Sequence, residues 1–253
     1  MAFLELNIFS ESLETQQQVY VIVPQSGTKG EIGIENKGKN SKYKSLYLLH
    51  GLSDNHSSWL RRTSIERYAQ ESGICVIMPN AGRSFYTDMK FGGKYYTYIA
   101  KELPRIISEM LNVSDKREDR YIAGISMGGY GALKIGMKEC DVFSAAAGLS
   151  SVADIHEGKT LFKRDMINIF GEEICIPVEE ELFYLAEQCS DNANRPRIYM
   201  GVGTEDFLYP SNQKLRKKIT SLKFDYTYRE SQGAHSWEFW DEYIQYVIEW
   251  LCN

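Results

Sequence analysis

Apolar residues are concentrated in eight short runs that are separated by longer mixed stretches. Each run has the length of one strand, whereas the stretches between them carry apolar residues at helical spacing. Strands that alternate with helices predict a mostly parallel sheet covered by helices. The first two runs have polar residues between them and alternate in character, so we expect them to pair antiparallel. The runs are FLELNIF (3–9), VYVIVP (19–24), SLYLLHG (45–51), ICVIMP (74–79), RYIAGIS (120–126), SAAAGLS (144–150), RIYMGVG (197–203) and FDYTYRE (224–230).

The clearest predicted helix lies at the end of the sequence. Its apolar residues recur every three or four positions and form one face that should dock onto the sheet. These residues are Trp237, Trp240, Ile244, Val247, Ile248 and Leu251. A second helix is predicted from Ser211 to Leu222, with Leu215 and Ile219 facing inward and a run of basic side chains facing solvent.

Two segments interrupt this alternation. Gln25 to Lys44 is rich in Gly, Lys and Asn, which favours a connection or hairpin between early strands. Val152 to Pro196 is too long for a simple connection, so we expect a small cap-like insertion there. The sequence shows no internal repeat and no interdomain linker. We therefore predict one α/β domain over residues 1–253, with an insertion at 152–196.

Charge and cysteine content limit which binding partners and which cellular compartment are expected. The chain has 253 residues and a formal net charge of -5, so we expect neither nucleic acid nor an anionic membrane as a partner. No apolar run approaches the ~20 residues that span a bilayer, and no signal peptide is expected. The five cysteines are scattered and show no CxxC spacing, which favours free thiols in a cytoplasm. The oligomeric state stays open, a homo-oligomer included.

The segment GISMG (124–128) is the most informative motif. It follows an apolar run and leads directly into the small-residue helical stretch GGYGALKIGMKE. A strand that turns into a helix through GxSxG is typical of a nucleophile elbow, in which a tight turn exposes the serine hydroxyl. GxSxG alone also occurs in ordinary turns, but this context favours catalysis and makes Ser126 the candidate nucleophile.

A catalytic serine needs a base and an acid that orients the base. His235 is the candidate base, because GAHSWEFW places it in a loop that opens onto the same sheet edge as Ser126. Asp206 is the preferred acid, since GTEDFLY directly follows a predicted strand. Its neighbour Glu205 and the more distant Asp154 are the alternatives. A structural role for His235, as a helix cap or a surface hydrogen-bonding group, is the other interpretation.

Ester chemistry also needs donors for the oxyanion that forms on the carbonyl. The backbone N–H of Met127 follows the nucleophile, and that of Leu52 lies in the loop after the third run. His50 is expected to hold structural hydrogen bonds. His56 and His156 lack ligands at metal-binding spacing and are interpreted as exposed loop residues, so no metal is predicted.

Five ordered motifs resemble one known family. LLHGLSDNHSSW, PNAGRSFYTDM, GISMGGYGALK, GTEDFLY and GAHSWEFW are similar to the tributyrin esterase branch of the putative esterase family, within the α/β hydrolases. The resemblance runs from the first strand to the last helix and is weakest at 25–44 and 152–196. It implies an α/β-hydrolase fold with Ser126 as nucleophile, His235 as base, Asp206 as acid, and Leu52 and Met127 as oxyanion donors.

The function implied is a serine carboxylesterase that acts on short-chain acyl esters, such as acetyl or butyryl esters, including acetylated or feruloylated carbohydrates. No cofactor is needed, because protein groups supply the nucleophile, the base and the anion stabilisers. A thioesterase of the S-formylglutathione hydrolase type is the alternative, followed by an acyltransferase and a non-catalytic binding protein. Trp59 and Tyr86 lie in motif loops and are assigned a substrate-binding role.

Overall fold

One eight-stranded sheet organises the computed structural model, which describes residues 1–25 and 42–253. The strand order is β1-β2-β4-β3-β5-β6-β7-β8. Each of the eight apolar runs corresponds to one strand. The strands are β1 (Ala2–Ser10), β2 (Thr15–Val23), β3 (Lys44–Leu49), β4 (Ile74–Pro79), β5 (Arg120–Ile125), β6 (Ala145–Leu149), β7 (Arg197–Gly203) and β8 (Tyr226–Ser231).

Strand directions agree with the sequence pattern. β1 pairs with β2 antiparallel, and β2 joins β4 antiparallel, whereas every neighbouring pair from β4 across to β8 is parallel. The central strands β3, β4, β5, β6 and β7 are buried along almost their whole length. The carboxyl ends of β3, β5, β6, β7 and β8 therefore meet at one edge, where their loops can form a common site.

The described residues contain ten α-helical segments. They are α1 (Ser58–Arg62), α2 (Ile65–Ser72), α3 (Tyr95–Thr97), α4 (Leu103–Met110), α5 (Met127–Lys138), α6 (Gly158–Leu161), α7 (Lys163–Phe170), α8 (Leu182–Ser190), α9 (Tyr209–Ser221) and α10 (Trp237–Cys252). A π-helical turn at Tyr98–Glu102 joins α3 to α4. Short 3-10 turns occur at Arg117–Asp119, Ile155–Glu157 and Val178–Glu180. No helix in the described ranges is long and apolar enough to cross a membrane.

The helices bury both faces of the sheet. One apolar cluster joins α2 and α10 to the sheet and includes Tyr68, Ile244 and Val247, while the opposite cluster joins α4, α5, α8 and α9 to it. Successive residues of β5 alternate between the clusters, since Tyr121 faces the first and Ile122 the second. The apolar face predicted for the last helix is confirmed: all of its residues are buried except Trp237, which is partly exposed.

The segment 152–196 contains α6, α7 and α8. Its last helix, α8, packs against α5 and α9 and so belongs to the helical layer. Its first part is tied to the loop after β4 by backbone bonds from Lys90 to Ile169 (2.8 Å) and from Phe91 to Asn168 (2.9 Å). We keep the cap-like insertion and the single domain as proposals. The connection expected at 25–44 falls largely outside the described residues.

Candidate active site

Ser126 lies in a strained turn between β5 and α5. Its φ is 53° and its ψ is -117°, a conformation that an L-residue adopts only where the surroundings enforce it. A Cβ on Gly124 would lie 2.4 Å from the Gly128 carbonyl oxygen, and one on Gly128 would lie 2.5 Å from the His50 carbonyl oxygen. The two glycines therefore allow the strand, the elbow and the oxyanion loop to approach closely enough to present the serine.

The structure brings Ser126, His235 and Asp206 into hydrogen-bond contact. His235 Nε2 lies 3.0 Å from Ser126 Oγ, and His235 Nδ1 lies 2.9 Å from Asp206 Oδ2. Because the carboxylate only accepts, Nδ1 carries the ring proton and Nε2 is left to accept from the serine hydroxyl. The side chains thus have the geometry of a nucleophile, a general base and an orienting acid.

Asp206 is held as a buried carboxylate. Burial alone would raise its pKa, but hydrogen bonds from His235, from the Leu208 backbone N–H and from the Ser150 side chain outweigh burial and lower the pKa. The Leu208 N–H donates to Oδ1 over 2.9 Å, which leaves Oδ2 for His235. The acid is therefore charged and fixed in direction beneath the imidazole.

The two alternative acids are engaged elsewhere. Asp154 caps a 3-10 turn by accepting the backbone N–H of His156 over 3.0 Å. Glu205 accepts from the side-chain amide of Gln232 over 2.9 Å. Asp206 is thus the only one of the three candidates that is hydrogen-bonded to His235.

One expected oxyanion donor directly follows Ser126 in the chain, and the other lies in the loop after β3. Met127 is the first residue of α5, where a backbone N–H has no acceptor within the helix and the helix dipole favours an anion. Leu52 lies in the loop after β3 and lines the same cavity as Ser126 and His235. This arrangement favours a negative charge next to Ser126, in the turn between β5 and α5.

His50 fixes the loop that carries Leu52. Its Nε2 accepts the Ala81 N–H over 2.9 Å, so its Nδ1 carries the proton and donates to the Gly51 carbonyl over 2.7 Å. Tyr86 donates its hydroxyl to the His50 carbonyl over 2.8 Å. Burial lowers the pKa of His50 to about 4, so the ring is neutral near pH 7. The hydrogen bonds match the structural role expected from the sequence.

A cavity of about 410 Å³ opens beside Ser126 and His235. Its other lining residues are Gly51, Leu52, Ser53, Asp54, Arg62, Ser236, Trp237, Glu238 and Trp240. Two aromatic rings touch His235: Trp240 meets it edge-on at 4.9 Å between centroids, and the exposed Phe207 is tilted against it at 4.7 Å. Arg62, Glu238 and Trp240 could not be recognised as lining residues from the sequence, because motif spacing carries no signal for the direction of their side chains.

Trp59 and Tyr86 lie behind this cavity, contrary to the expectation that they face substrate. Trp59 is 1% exposed and donates its indole N–H to the Leu49 carbonyl over 3.0 Å. Tyr86 is 0% exposed, and its hydroxyl is used by His50. Both side chains turn inward because their polar groups find backbone carbonyls there, so they support the oxyanion loop from within.

The remaining histidines differ in environment. His56 was expected to be exposed, but it is buried and its ring meets Tyr20 edge-on at 4.6 Å, so that expectation is wrong. His156 is exposed as expected, and its Nε2 lies 2.9 Å from Glu181 Oε1. Over residues 1–25 and 42–253, no group of three or more His, Cys, Asp or Glu side chains could hold a metal ion.

A parallel sheet with a nucleophile elbow at its carboxyl edge defines the α/β-hydrolase class of serine hydrolases. Within that class, the chain belongs to the putative esterase family, which matches residues 10–245. The fold and the family inferred from the five motifs are both confirmed.

Individual relatives span the full chain. It is 29% identical to an acetyl esterase of Caldicellulosiruptor saccharolyticus, over 100% of this chain and 99% of the relative. Among solved structures, it is similar to substrate-bound FphF, a fluorophosphonate-binding serine hydrolase of Staphylococcus aureus, with 32% identity, a TM-score of 0.90, and coverage of 100% of this chain and 98% of FphF. It is also similar to S-formylglutathione hydrolase FrmB of Staphylococcus aureus, with 31% identity, a TM-score of 0.86, and coverage of 100% and 99%. The protein is therefore a serine hydrolase of an esterase family.

Proposed function

We propose that this protein is a carboxylesterase that hydrolyses short-chain acyl esters through an acyl-enzyme on Ser126. The observation that carries the proposal is the continuous hydrogen-bonded chain from Ser126 Oγ through His235 to Asp206, with distances of 3.0 and 2.9 Å. A serine that is hydrogen-bonded to an oriented imidazole can lose its proton as it attacks a carbonyl.

The reaction would proceed in two halves. In the first, His235 Nε2 takes the Ser126 proton, Oγ bonds to the acyl carbon, and the imidazolium gives that proton to the departing alcohol. In the second, His235 takes a proton from water, the hydroxide oxygen bonds to the acyl carbon, and Oγ leaves with the proton returned to it. Asp206 stays ionised throughout and stabilises the imidazolium.

The oxyanion of each tetrahedral intermediate would be bound by the backbone N–H groups of Met127 and Leu52. Both residues line or border the Ser126 elbow, and neither donor depends on a mobile side chain. Donors fixed before the reaction contribute about 3 to 4 kcal/mol each to lowering the barrier. No metal or organic cofactor has a step in this scheme.

Acetyl and butyryl groups are the acyl chains we propose, carried on a small alcohol or a sugar. The cavity of about 410 Å³ and the aromatic rings beside His235 support a compact acyl group. The relative named acetyl esterase supports the same acyl class. Membership of the tributyrin esterase branch and action on acetylated or feruloylated carbohydrates remain parts of the proposal.

Hydrolysis of p-nitrophenyl acetate, butyrate and octanoate by wild type and Ser126→Ala tests the proposal. Wild-type turnover should decline with chain length and vanish in Ser126→Ala, and a fluorophosphonate should label only the wild type. Ser151→Ala is the matched control, because Ser151 Oγ is buried without a hydrogen-bond partner among the described residues. Labelling or turnover that persists in Ser126→Ala would contradict the nucleophile assignment.

A thioesterase of the S-formylglutathione hydrolase type is the second candidate. It is favoured by the likeness to FrmB and by Arg62, a cation in the lining of the active-site cavity that could meet a carboxylate of a glutathione moiety. Comparing kcat/KM for S-formylglutathione with that for p-nitrophenyl acetate ranks the two. If the thioester is preferred by orders of magnitude, the carboxylesterase proposal gives way to the thioesterase.

A cytoplasmic location is also proposed. It is supported by the five cysteines, none of which forms a disulfide in the described part of the chain. We propose a small acyl ester as the partner, without nucleic acid or membrane, and a homo-oligomer stays open to measurement of the mass in solution.

A further inference from the structure

Ser150 occupies an unusual backbone position beside the catalytic acid. It directly follows β6, is fully buried, and has a φ of 47°. Its N–H donates to the Gly201 carbonyl over 2.7 Å, which fixes this conformation. Glycine would adopt a positive φ without the steric cost that a Cβ imposes.

Trp240 determines the direction of the Ser150 hydroxyl. The indole Nε1–H lies 3.0 Å from Ser150 Oγ and can only donate, so Oγ must accept. The hydroxyl proton is thereby left to point at another acceptor. The Ser150 side chain is among the groups that lower the pKa of Asp206, after the opposing effect of burial and the larger contribution of His235, which supports the Asp206 carboxylate as that acceptor.

Trp240 also contacts the catalytic base directly. Its ring meets the His235 imidazole at an interplanar angle of 90° and a centroid distance of 4.9 Å. The residue is buried in α10, and its ring also meets the Trp237 ring edge-on at 5.3 Å between centroids. One rigid side chain therefore touches the His235 ring and holds the hydroxyl of Ser150.

We propose that Trp240 and Ser150 are positioning residues, which together hold the Asp206 carboxylate and the His235 ring in register with Ser126. This inference rests on the proposed serine esterase function. It adds two groups to the site: Trp240 acts through the His235 ring, which it contacts, and Ser150 acts through Trp240 and Asp206. Their effect should fall on the chemical step, because a misdirected imidazole slows proton transfer without changing how the ester binds.

The test compares kcat and KM for p-nitrophenyl acetate in Ser150→Gly, Trp240→Phe and the double variant. Ser150→Gly relieves the backbone strain while removing the hydroxyl, and Trp240→Phe keeps an aromatic ring while removing the N–H. Each should lower kcat about tenfold, the size of one hydrogen bond to a charged group, with KM within about twofold. The double variant should lose no more than the worse single variant, because both act through one hydrogen-bonded chain.

Two matched controls separate positioning from general damage. Ser151→Ala removes a neighbouring buried hydroxyl that has no partner among the described residues, and Trp250→Phe alters a tryptophan of the same helix that packs on Tyr199. Both should keep wild-type kcat, and urea unfolding should confirm that all variants are folded at the assay temperature. A rise in KM with unchanged kcat, or losses in the double variant that multiply, would overturn the positioning role.

The same set of kinetic assays distinguishes the esterase proposal from the positioning proposal. If wild type turns over the ester and Ser126→Ala does not, while Ser150→Gly and Trp240→Phe match the controls, only the positioning role fails. If wild type turns over no ester and no thioester, both proposals fail together.

Discussion

Lys134 Nζ lies 2.6 Å from Glu180 Oε2, and this ion pair joins the elbow helix α5 to the segment that follows β6. The lysine is fully buried and also bonds the Thr87 hydroxyl over 2.6 Å. Burial lowers the pKa of Lys134 to about 8. Glu180 is affected oppositely: burial would raise its pKa, but Lys134 and Lys138 lower it. The carboxylate is therefore charged, and it compensates an ammonium that has no access to solvent.

Glu180→Gln should be strongly destabilising. It leaves the Lys134 ammonium buried without a counter-charge, and breaking a buried pair in this way typically costs about 3 to 5 kcal/mol. Urea unfolding at pH 7 measures the loss. Glu179→Gln is the control, since that side chain is exposed and should change the free energy of unfolding by less than about 0.5 kcal/mol. Equal stabilities for the two variants would show that the ion pair contributes little.

Asp206→Asn should leave the fold intact and cut turnover. An amide can donate to His235 Nδ1 and so stabilise the tautomer whose Nε2 carries a proton, which cannot accept from Ser126. In the serine protease that serves as the reference for this triad, the same change lowers kcat by about 10⁴. Steady-state kinetics on p-nitrophenyl acetate measure the effect.

Asp154→Asn and Glu205→Gln are the controls for the acid. Neither carboxylate is bonded to His235, so both variants should keep turnover near that of wild type. A large loss in Asp154→Asn combined with a small loss in Asp206→Asn would move the acid to Asp154.

All eight strands could be predicted from the sequence because buried parallel strands appear as nearly continuous apolar runs. The residues alone favoured Asp206, because it directly follows a predicted strand, but they left Asp154 open. Both follow strands whose carboxyl ends lie at the same sheet edge, and only the path of each loop decides which carboxylate reaches His235. The family resemblance favoured the one that the structure places there.

Side-chain direction in loops was the other limit. Trp59 and Tyr86 lie in loops at the active edge, as predicted, but each turns inward to donate to a backbone carbonyl. The Trp240–Ser150 contact was missed for a related reason, since it joins residues 90 positions apart and depends on the positive φ of Ser150. A serine gives no signal in the sequence that its backbone is strained.

Gly128→Ala should disrupt the elbow. Its Cβ would lie 2.5 Å from the His50 carbonyl oxygen and 2.6 Å from the Leu49 carbonyl oxygen, and backbone atoms cannot move away cheaply. We expect a loss of about 1 to 3 kcal/mol or more in the free energy of unfolding, together with loss of activity. Gly92→Ala is the control, because the atoms nearest to its Cβ belong to the Met89 side chain, whose flexible end can move away. A stable and active Gly128→Ala would show that the elbow tolerates a wider turn.

Phe207→Ala should weaken the binding of ester substrates. Phe207 is 57% exposed and lies against His235, so its ring is available to pack on an acyl or alcohol group above the base. We expect KM for p-nitrophenyl butyrate to rise about three- to tenfold, as fits the loss of roughly 1 kcal/mol of contact. Phe91→Ala changes a phenylalanine that is 56% exposed and lies beside Lys90 instead of His235, so it should leave KM unchanged.

The stability of the protein should fall as the pH drops from about 6.5 to about 4, the ordinary and the native pKa of His50. Unfolded His50 binds a proton in this window while the buried ring does not, so acid favours the unfolded chain. At 1.36 kcal/mol per pH unit, His50 should account for roughly 3 kcal/mol across the window. Urea unfolding from pH 7 to pH 4 measures the slope.

His50→Gln tests that assignment, because glutamine cannot take up a proton in this range. Its free energy of unfolding should be lower than that of wild type at pH 7 and should fall less steeply with acid. Some slope should remain, since burial also lowers the pKa of His56. Asp206 does not add to the slope in this pH range. Its pKa is lowered, so its contribution to the free energy of unfolding is lost only below about pH 3.9, the ordinary aspartate value. An unchanged slope in His50→Gln would mean that another group carries the acid sensitivity and that His50 holds the oxyanion loop without controlling its stability.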